Sequence, residues 1–343
     1  MNDPILIWGG GAIGGTLAAY WAKSGEDVVL VDVVAEHVKA CNTSGLVIEG
    51  PVDEFKINLK ASLPKDLVGT FSRIVLAVKA LHTRQATSML LPHLDKNGYV
   101  LSAQNGLNEM VISEMVGRHR TMGAFLNFGA DWLGPGRILF GNRGAVVLGE
   151  LDGAIYPRTN AMFDLMQGFD SDAVLTDNIW GYLWGKLAYG AMLFATALNN
   201  RSMADNFAKS EFTPIWTGLA REVIALARKR CITPVGFNGF DPSAFLPGSD
   251  NFEADRCIAG LVEFNMKSAK THSGIWRDLA VRRRKTEVDE QIGILIDLAT
   301  ESGVEVPLIK CLVNLVHDVE KGERPLSDET LVPLLDLINL RSV

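Results

Sequence analysis

The sequence predicts an α/β domain built on a parallel sheet, followed by an all-α domain. Three observations predict it. Short β-rich runs, "ILIW", "VVLV", "IVLAV" and "YVLSA", alternate with helix-like stretches up to about Thr176, the pattern of successive βαβ units. A glycine cluster stands between the first of these runs and a helix pattern of small residues. After Asp177 the β-rich runs stop. From "NIWGYLWGKLAYGAMLFATALNN" onward, apolar residues recur at helical spacing, broken only by "CITPVGFNGFDPSAFLPGSD", which has the Gly, Pro and Asp content of a loop. At 343 residues the chain is longer than one hydrophobic core usually serves. Two domains, 1–177 and 178–343, are therefore expected.

Bulk composition narrows the function. With 48% hydrophobic and 21% charged residues the chain reads as an ordinary globular protein. Its net charge of -7 gives no sign of a nucleic-acid partner, which would shift the balance toward Lys and Arg. A small anionic substrate needs only one local cation and stays open. Cys41, Cys231, Cys257 and Cys311 show no metal-type or redox-type spacing. Reduced thiols in a cytoplasmic protein, with no metal site, are the expectation. The apolar run at the start is too short for a membrane span and lacks a basic leader, so neither membrane association nor a signal peptide is expected.

In the first strand-to-helix turn, Gly9, Gly11 and Gly14 spell G-x-G-x-x-G directly after a strand pattern and directly before a helix pattern. This is the context a dinucleotide fingerprint requires. Gly9 allows the tight turn, Gly11 lets the backbone approach a pyrophosphate, and Gly14 lets the helix pack on the strand. The leading amides at Ala12, Ile13 and Gly14 then face the anion. Asp32 ends the second strand, where a carboxylate accepts from ribose hydroxyls and repels a 2′-phosphate. Val33, Val34 and Ala35 follow it, with no cation to receive such a phosphate. NAD(H) is favoured and NADP(H) remains possible.

The helical half offers two candidates for chemistry. Lys186 is the only charge between Asp177 and Arg201, in a segment where Trp180, Leu183, Trp184, Leu187 and Ala191 mark an apolar face. A desolvated lysine there has a lowered pKa and can exchange a proton with a developing alkoxide. A lysine that snorkels its ammonium to water fits the same pattern. In "RRRKTEVDEQIGILIDLATESG", Thr286 with Asp289 gives an N-cap-like start, so Glu287 falls in the first helical turn and Gly303 supplies the stop. An acid there suits the helix dipole whatever else it does. The run Arg282, Arg283, Arg284 and Lys285 is most simply a solvated face, though one member could meet an anionic substrate.

Taken together, the glycine turn, "AVKA" around Lys79, "QNG" around Asn105, "LWGKLA" around Lys186 and "RRKTEVD" around Glu287 follow the order and approximate spacing of the ketopantoate reductase (2-dehydropantoate 2-reductase) family. The chain resembles that family from Ile5 to roughly Pro307. The resemblance implies a Rossmann domain and a helical domain like the C-terminal domain of 6-phosphogluconate dehydrogenase, with an active site in the cleft between them. It implies hydride transfer between a nicotinamide and C2 of a 2-oxo acid, giving the 2-hydroxy acid. Lys186 would be the general acid, and Glu287 would bind the substrate or orient the lysine. Lys79 and Asn105 would position the nicotinamide region and substrate. It also implies a homodimer through the helical domains, and domain closure over the cleft.

Departures from the family pattern point to a remodelled pocket. Asparagines expected four and eight residues after the lysine are replaced by Gly190 and Phe194, all on one helix face. The serine pair expected to hold the substrate carboxylate becomes Ser273 and Gly274, with His272 and Trp276 nearby. A different, bulkier or more apolar 2-oxo acid is expected. Pantoate-forming members carry a basic residue where Val33 stands. The Asp32 and Val33 pair instead resembles NAD-dependent D-2-hydroxyacid dehydrogenases of the same family, which points to oxidation of hydroxy acids. His272 matches no catalytic position of the family. The alternatives are a genuine 2-dehydropantoate 2-reductase, a non-catalytic dinucleotide sensor and a structural helper.

Overall fold

An unbroken apolar run suits a strand covered on both faces. "ILIW" forms such a strand, β1 (Ile5–Trp8), with all four side chains buried. The computed structural model describes residues 3–267 and 270–341. The chain divides into two compact units, Met1–Ile179 and Trp180–Val343.

In the first unit, β1 leads through the glycine turn into α1 (Ala12–Lys23), β2 (Val28–Val31) and α2 (Ala35–Thr43). The chain continues through β3 (Leu46–Glu49), β4 (Phe55–Ile57), β5 (Lys60–Ser62), β6 (Phe71–Leu76), α3 (Thr83–Leu90), β7 (Leu94–Ser102) and α4 (Asn108–Val116). It closes with β8 (Thr121–Leu126), β9 (Gly129–Gly134), β10 (Arg137–Asn142), β11 (Val146–Glu150), α5 (Pro157–Phe169) and β12 (Val174–Leu175). The main sheet has the order β12-β11-β8-β7-β6-β1-β2-β5. From β8 to β5 every pair is parallel, while β11 runs antiparallel to β8. Side chains of β1 alternate between two cores. Ile5 and Ile7 join α1 residues such as Leu17 on one face, and Leu6 and Trp8 join Ala86 and Leu90 of α3 and Ile112 of α4 on the other. Because β1 lies between β2 and β6, the strand order reverses beside it. The crevice at the carboxyl ends of these strands is where such sheets take ligands.

A second sheet, β4-β3-β10-β9, was not expected from the sequence. Its outer strands are short or half-exposed: "FKI" and "GADWLG" carry little of the apolar alternation that marks a strand.

In the second unit the expected helices form. They are α6 (Ile179–Thr196), α7 (Met203–Ala208), α8 (Thr213–Lys229), α9 (Asn251–Met266), the single turn α10 (Gly274–Trp276), α11 (Ile294–Ser302), α12 (Pro307–Glu320) and α13 (Val332–Arg341). Two π-helical stretches, Arg277–Val281 and Asp289–Gly293, flank the basic run. The loop read at 231–250 holds a bridge between Phe237 and Phe240 and one tight turn, Pro242–Phe245. Glu222 of α8 accepts the leading N–H groups of α12, from Leu308 at 3.0 Å and Ile309 at 2.9 Å. A carboxylate in this position satisfies orphan donors and the helix dipole together. The leucine-rich C-terminal stretch packs as α13 on α8 and α12, with Leu331 and Leu334 fully buried.

Candidate functional site

At the carboxyl ends of four adjacent parallel strands, the first unit gathers its predicted cofactor residues. The glycine turn follows β1, Asp32 follows β2, Lys79 lies three residues beyond β6, and Asn105 three beyond β7. Gly9 has φ +108°, and a Cβ there would stand 2.8 Å from the backbone of Ala77 and Val78. At Gly14 a Cβ would land on the Gly9 carbonyl oxygen and 2.8 Å from Ala77 Cβ, so helix and strand meet backbone to backbone. At Gly11 a Cβ meets nothing within 4 Å.

That open position lies at the start of α1, which has no side-chain cap and no acid in its first turn. The first intrahelical bond runs from Gly15 N–H to Gly11 carbonyl at 2.8 Å. The amides of Gly11, Ala12, Ile13 and Gly14 therefore lie outside the helical ladder, at the positive end of the dipole. These residues fit a pyrophosphate. Beside them, Asp32 Oδ2 accepts the Gly10 N–H at 2.8 Å and Oδ1 accepts the Val34 N–H at 2.9 Å. Each carboxylate oxygen keeps a second lone pair for a ribose hydroxyl.

The other end of the crevice is braced by residues that sequence reasoning passed over. Gln104 Nε2 donates to the Val78 carbonyl and to Thr83 Oγ1, both at 2.8 Å. The Thr83 hydroxyl donates to Asn108 Oδ1 at 2.7 Å, and Asn108 Nδ2 donates to the Asn105 carbonyl at 2.6 Å. This chain fixes the Lys79 loop against the Asn105 loop. Lys79 is half-buried and Asn105 exposed. Gln104 is 7% exposed, and its Oε1 meets no hydrogen-bond donor among the described residues. The signal was present in "QNG", where the middle residue drew all the weight.

In the helical unit, α6 buries Leu183, Trp184, Leu187 and Ala191 and leaves Tyr182, Lys186, Gly190 and Leu193 half-buried. Lys186 thus lies half-buried on a stripe with Tyr182 and Gly190, a position that both readings, a desolvated amine and one that snorkels to water, allow. At Gly190 a Cβ meets nothing within 4 Å, whereas Phe194 is 1% exposed among the core side chains. On the far side of α6, Gly185 presses against the Val235 backbone, and Val235 N–H donates to the Gly181 carbonyl at 2.9 Å. Behind the stripe, Asn265 of α9 donates to the Tyr189 hydroxyl at 3.3 Å. Burial pushes that phenol up to about 12.

Ser273 caps the turn α10, its Oγ accepting Trp276 N–H at 3.1 Å, and Gly274 opens that turn with free space around it. His272 packs against Trp276, ring centroids 4.1 Å apart and planes tilted by 36°, and its Nδ1 meets Thr271 Oγ1 at 2.9 Å. The basic run is exposed, as expected. Two members are held by the buried Asp278, from Arg282 at 2.9 Å and Arg284 at 2.8 Å. Glu287 is half-buried and stands just before the helix, its carbonyl accepting Gln291 N–H at 3.0 Å. The helix starts one position later than the capping pattern implied: the Thr286 hydroxyl donates to Glu320 Oε1 at 2.7 Å and accepts the Val288 N–H at 3.2 Å. Glu290 nearby is raised above the usual carboxylate range by burial, with Asp289 and Glu287 adding repulsion. Gly303, with φ +63°, ends α11 as read.

Among the described residues no cluster of three or more His, Cys, Asp or Glu could hold a metal, and no helix is long and apolar enough to cross a membrane. All four cysteines are free thiols.

A family model described as "Ketopantoate reductase PanE/ApbA" matches residues 5–153, and its C-terminal counterpart matches residues 178–320. The 2-dehydropantoate 2-reductase of Streptococcus pyogenes is 23% identical over 318 residues, covering 92% of this chain and 97% of its own length. A ternary structure of D-mandelate dehydrogenase with NADH and anilino(oxo)acetate superposes with a TM-score of 0.79 at 23% identity, covering 93% of this chain and 99% of that one. A dimeric ketopantoate reductase from Staphylococcus aureus gives a TM-score of 0.72 at 17% identity, covering 94% and 100%. At these identities the solved structures establish a shared fold. The two family models, which between them span both units, establish more: the chain belongs to the ketopantoate reductase family.

Proposed function

We propose that this protein interconverts a 2-oxo acid and a 2-hydroxy acid with NAD(H) as the favoured cofactor, on a substrate bulkier or more apolar than ketopantoate. Family membership carries the coarser statement, an oxidoreductase that uses a nicotinamide dinucleotide and acts on a CH–OH group. The observation that carries the chemistry is Lys186, a cation on the half-buried stripe of an otherwise uncharged helix. When bound, the dinucleotide supplies or accepts the hydride at C2 of the acid. Lys186 Nζ gives a proton to the oxygen as charge grows there, and takes it back in the reverse direction. Its charge also draws the substrate carboxylate. Glu287 orients the lysine or the substrate, and Asn105 and Lys79 hold the nicotinamide side, braced through Gln104.

Asp32 supports NAD over NADP, since a carboxylate at the end of β2 accepts from ribose hydroxyls and repels a 2′-phosphate. The neighbour solved with NADH and an anilino-substituted oxoacetate supports both the cofactor and an aromatic acid. Gly190 supports the larger substrate, because it leaves space where the family pattern places an asparagine. Ser273 is taken up as a cap, so Gly274 and its open surroundings are the better candidate for contact with the acid. A homodimer is proposed from kinship with the Staphylococcus aureus enzyme.

Initial rates with NADH and NADPH against 2-oxo acids, ketopantoate and aromatic ones included, test this reading. NADH-dependent turnover of an apolar acid is expected, with Lys186→Ala lowering kcat by about 10²-fold or more while NADH affinity is kept. Fast NADPH-dependent reduction of ketopantoate would identify an ordinary pantoate-forming enzyme, and dinucleotide binding without turnover of any acid would identify a sensor.

A further inference from the structure

His37 is the third residue of α2 and is 1% exposed. Its Nδ1 accepts the Gly136 N–H at 2.9 Å, and the Trp132 indole N–H points at the same nitrogen from 3.4 Å. Gly136 lies in the turn between β9 and β10, and Trp132 lies on β9. With two donors aimed at it, Nδ1 carries no proton, so the neutral ring holds its proton on Nε2. That nitrogen faces the glycine turn: a Cβ on Gly10 would stand 3.0 Å from it, and Cys41 Sγ lies 3.8 Å away. Burial favours the neutral ring, lowering its pKa against the pull of Asp32.

The imidazole is therefore a wedge between the hairpin of the second sheet and the turn of the first. Gly10, which rests on it, gives its own N–H to Asp32. Displacing the ring would release Gly10, and with it the carboxylate set for the ribose and the start of α1.

We propose that His37 is a positioning residue of the dinucleotide site: held by Gly136 at Nδ1, its ring props Gly10 so that Asp32 and the leading amides of α1 keep the geometry that receives the adenosine and pyrophosphate half. The proposal rests on the dinucleotide reading above. His37 touches neither the reacting carbon nor the proton donor. Its loss therefore weakens binding and leaves the chemical step alone.

Two substitutions separate the ring's two ends. His37→Asn keeps an acceptor where Nδ1 stands but is too short to reach Gly10, and His37→Gln reaches the Gly10 side while leaving the Gly136 N–H without its acceptor. NADH affinity is measured by fluorescence titration, and kcat at saturating NADH and melting temperature are recorded alongside. His37→Asn, which no longer reaches Gly10, is expected to weaken NADH binding by about tenfold, His37→Gln by less than about threefold, with kcat unchanged in both. Native-like affinity in His37→Asn, equal weakening in the two variants, or a fall in kcat at saturation overturns the positioning role. Failure of the native protein to bind either NADH or NADPH overturns the dinucleotide reading itself, and this proposal with it.

Discussion

Asp32 takes two backbone N–H groups, from Gly10 and Val34, and still presents lone pairs to the crevice. It serves as both a strut of the turn and a reader of the cofactor. Asp32→Ala is expected to raise the ratio of NADPH to NADH affinity by about tenfold, at some cost to both, since a repulsive carboxylate and a ribose acceptor go together. An unchanged ratio in binding titrations refutes the assignment of NAD preference to this residue. The glycines divide by physical role. At Gly14 an added Cβ has nowhere to go, so Gly14→Ala is expected to destabilise the protein by about 2 kcal/mol or more, read as a lowered melting temperature. At Gly11 the same methyl meets open space, and Gly11→Ala is expected to keep the melting temperature and lose dinucleotide affinity. If both variants melt alike and bind alike, the steric account of the turn fails.

At the level of elements, α12 depends on a side chain remote in sequence. Glu222 spans from α8 to the first amides of α12, and Glu222→Ala is expected to cost about 1–3 kcal/mol by leaving them unpaired. Calorimetry should show a drop of about 5 °C, and an unmoved transition dismisses the cap. Such dependence also shows what a sequence conceals. Strands β1, β2, β6 and β7 were legible because strands covered on both faces must be apolar throughout, and the glycine turn because backbone crowding admits no other residue. β3, β4, β9 and β10 were not, because a half-exposed sheet tolerates polar residues and the pairing that joins its two hairpins links positions about ninety apart, as Val47 with Arg137. On the site, Asp32 drew notice from its place at the end of a strand, and Lys79 and Asn105 only through the resemblance to a known family. Gln104, Thr83 and His37 were not, since their roles are hydrogen bonds between loops that only the folded sheet brings together. Lys186 stood out as a lone charge, but periodicity alone could not say that it lies on a half-buried stripe.

Across the whole molecule, buried ionisable groups make stability depend on pH. Burial holds the His37 pKa below the ordinary 6.5, so in mild acid the unfolded chain binds a proton that the folded chain refuses. Stability from this residue is complete above about pH 6.5 and is lost as pH falls through the unfolded value toward the folded one. The melting temperature of the native protein is expected to fall more steeply than that of His37→Asn between about pH 7.5 and 5.5, and parallel curves would falsify the linkage. A different property of the chain follows from its two π-helical stretches. Arg282 N–H reaches back to the Arg277 carbonyl, and Ile294 N–H to that of Asp289, each closing a loop one residue longer than an α-turn. Each stretch is thus a place where the polypeptide holds a surplus residue without breaking its ladder of hydrogen bonds. Removing one residue from Arg277–Val281 would restore an ordinary turn and swing the chain that follows by about 100°. Between Ser273 and Glu287, a single insertion or deletion can therefore exchange which side chain is presented at a given place, and residue spacing alone does not match this protein to its relatives.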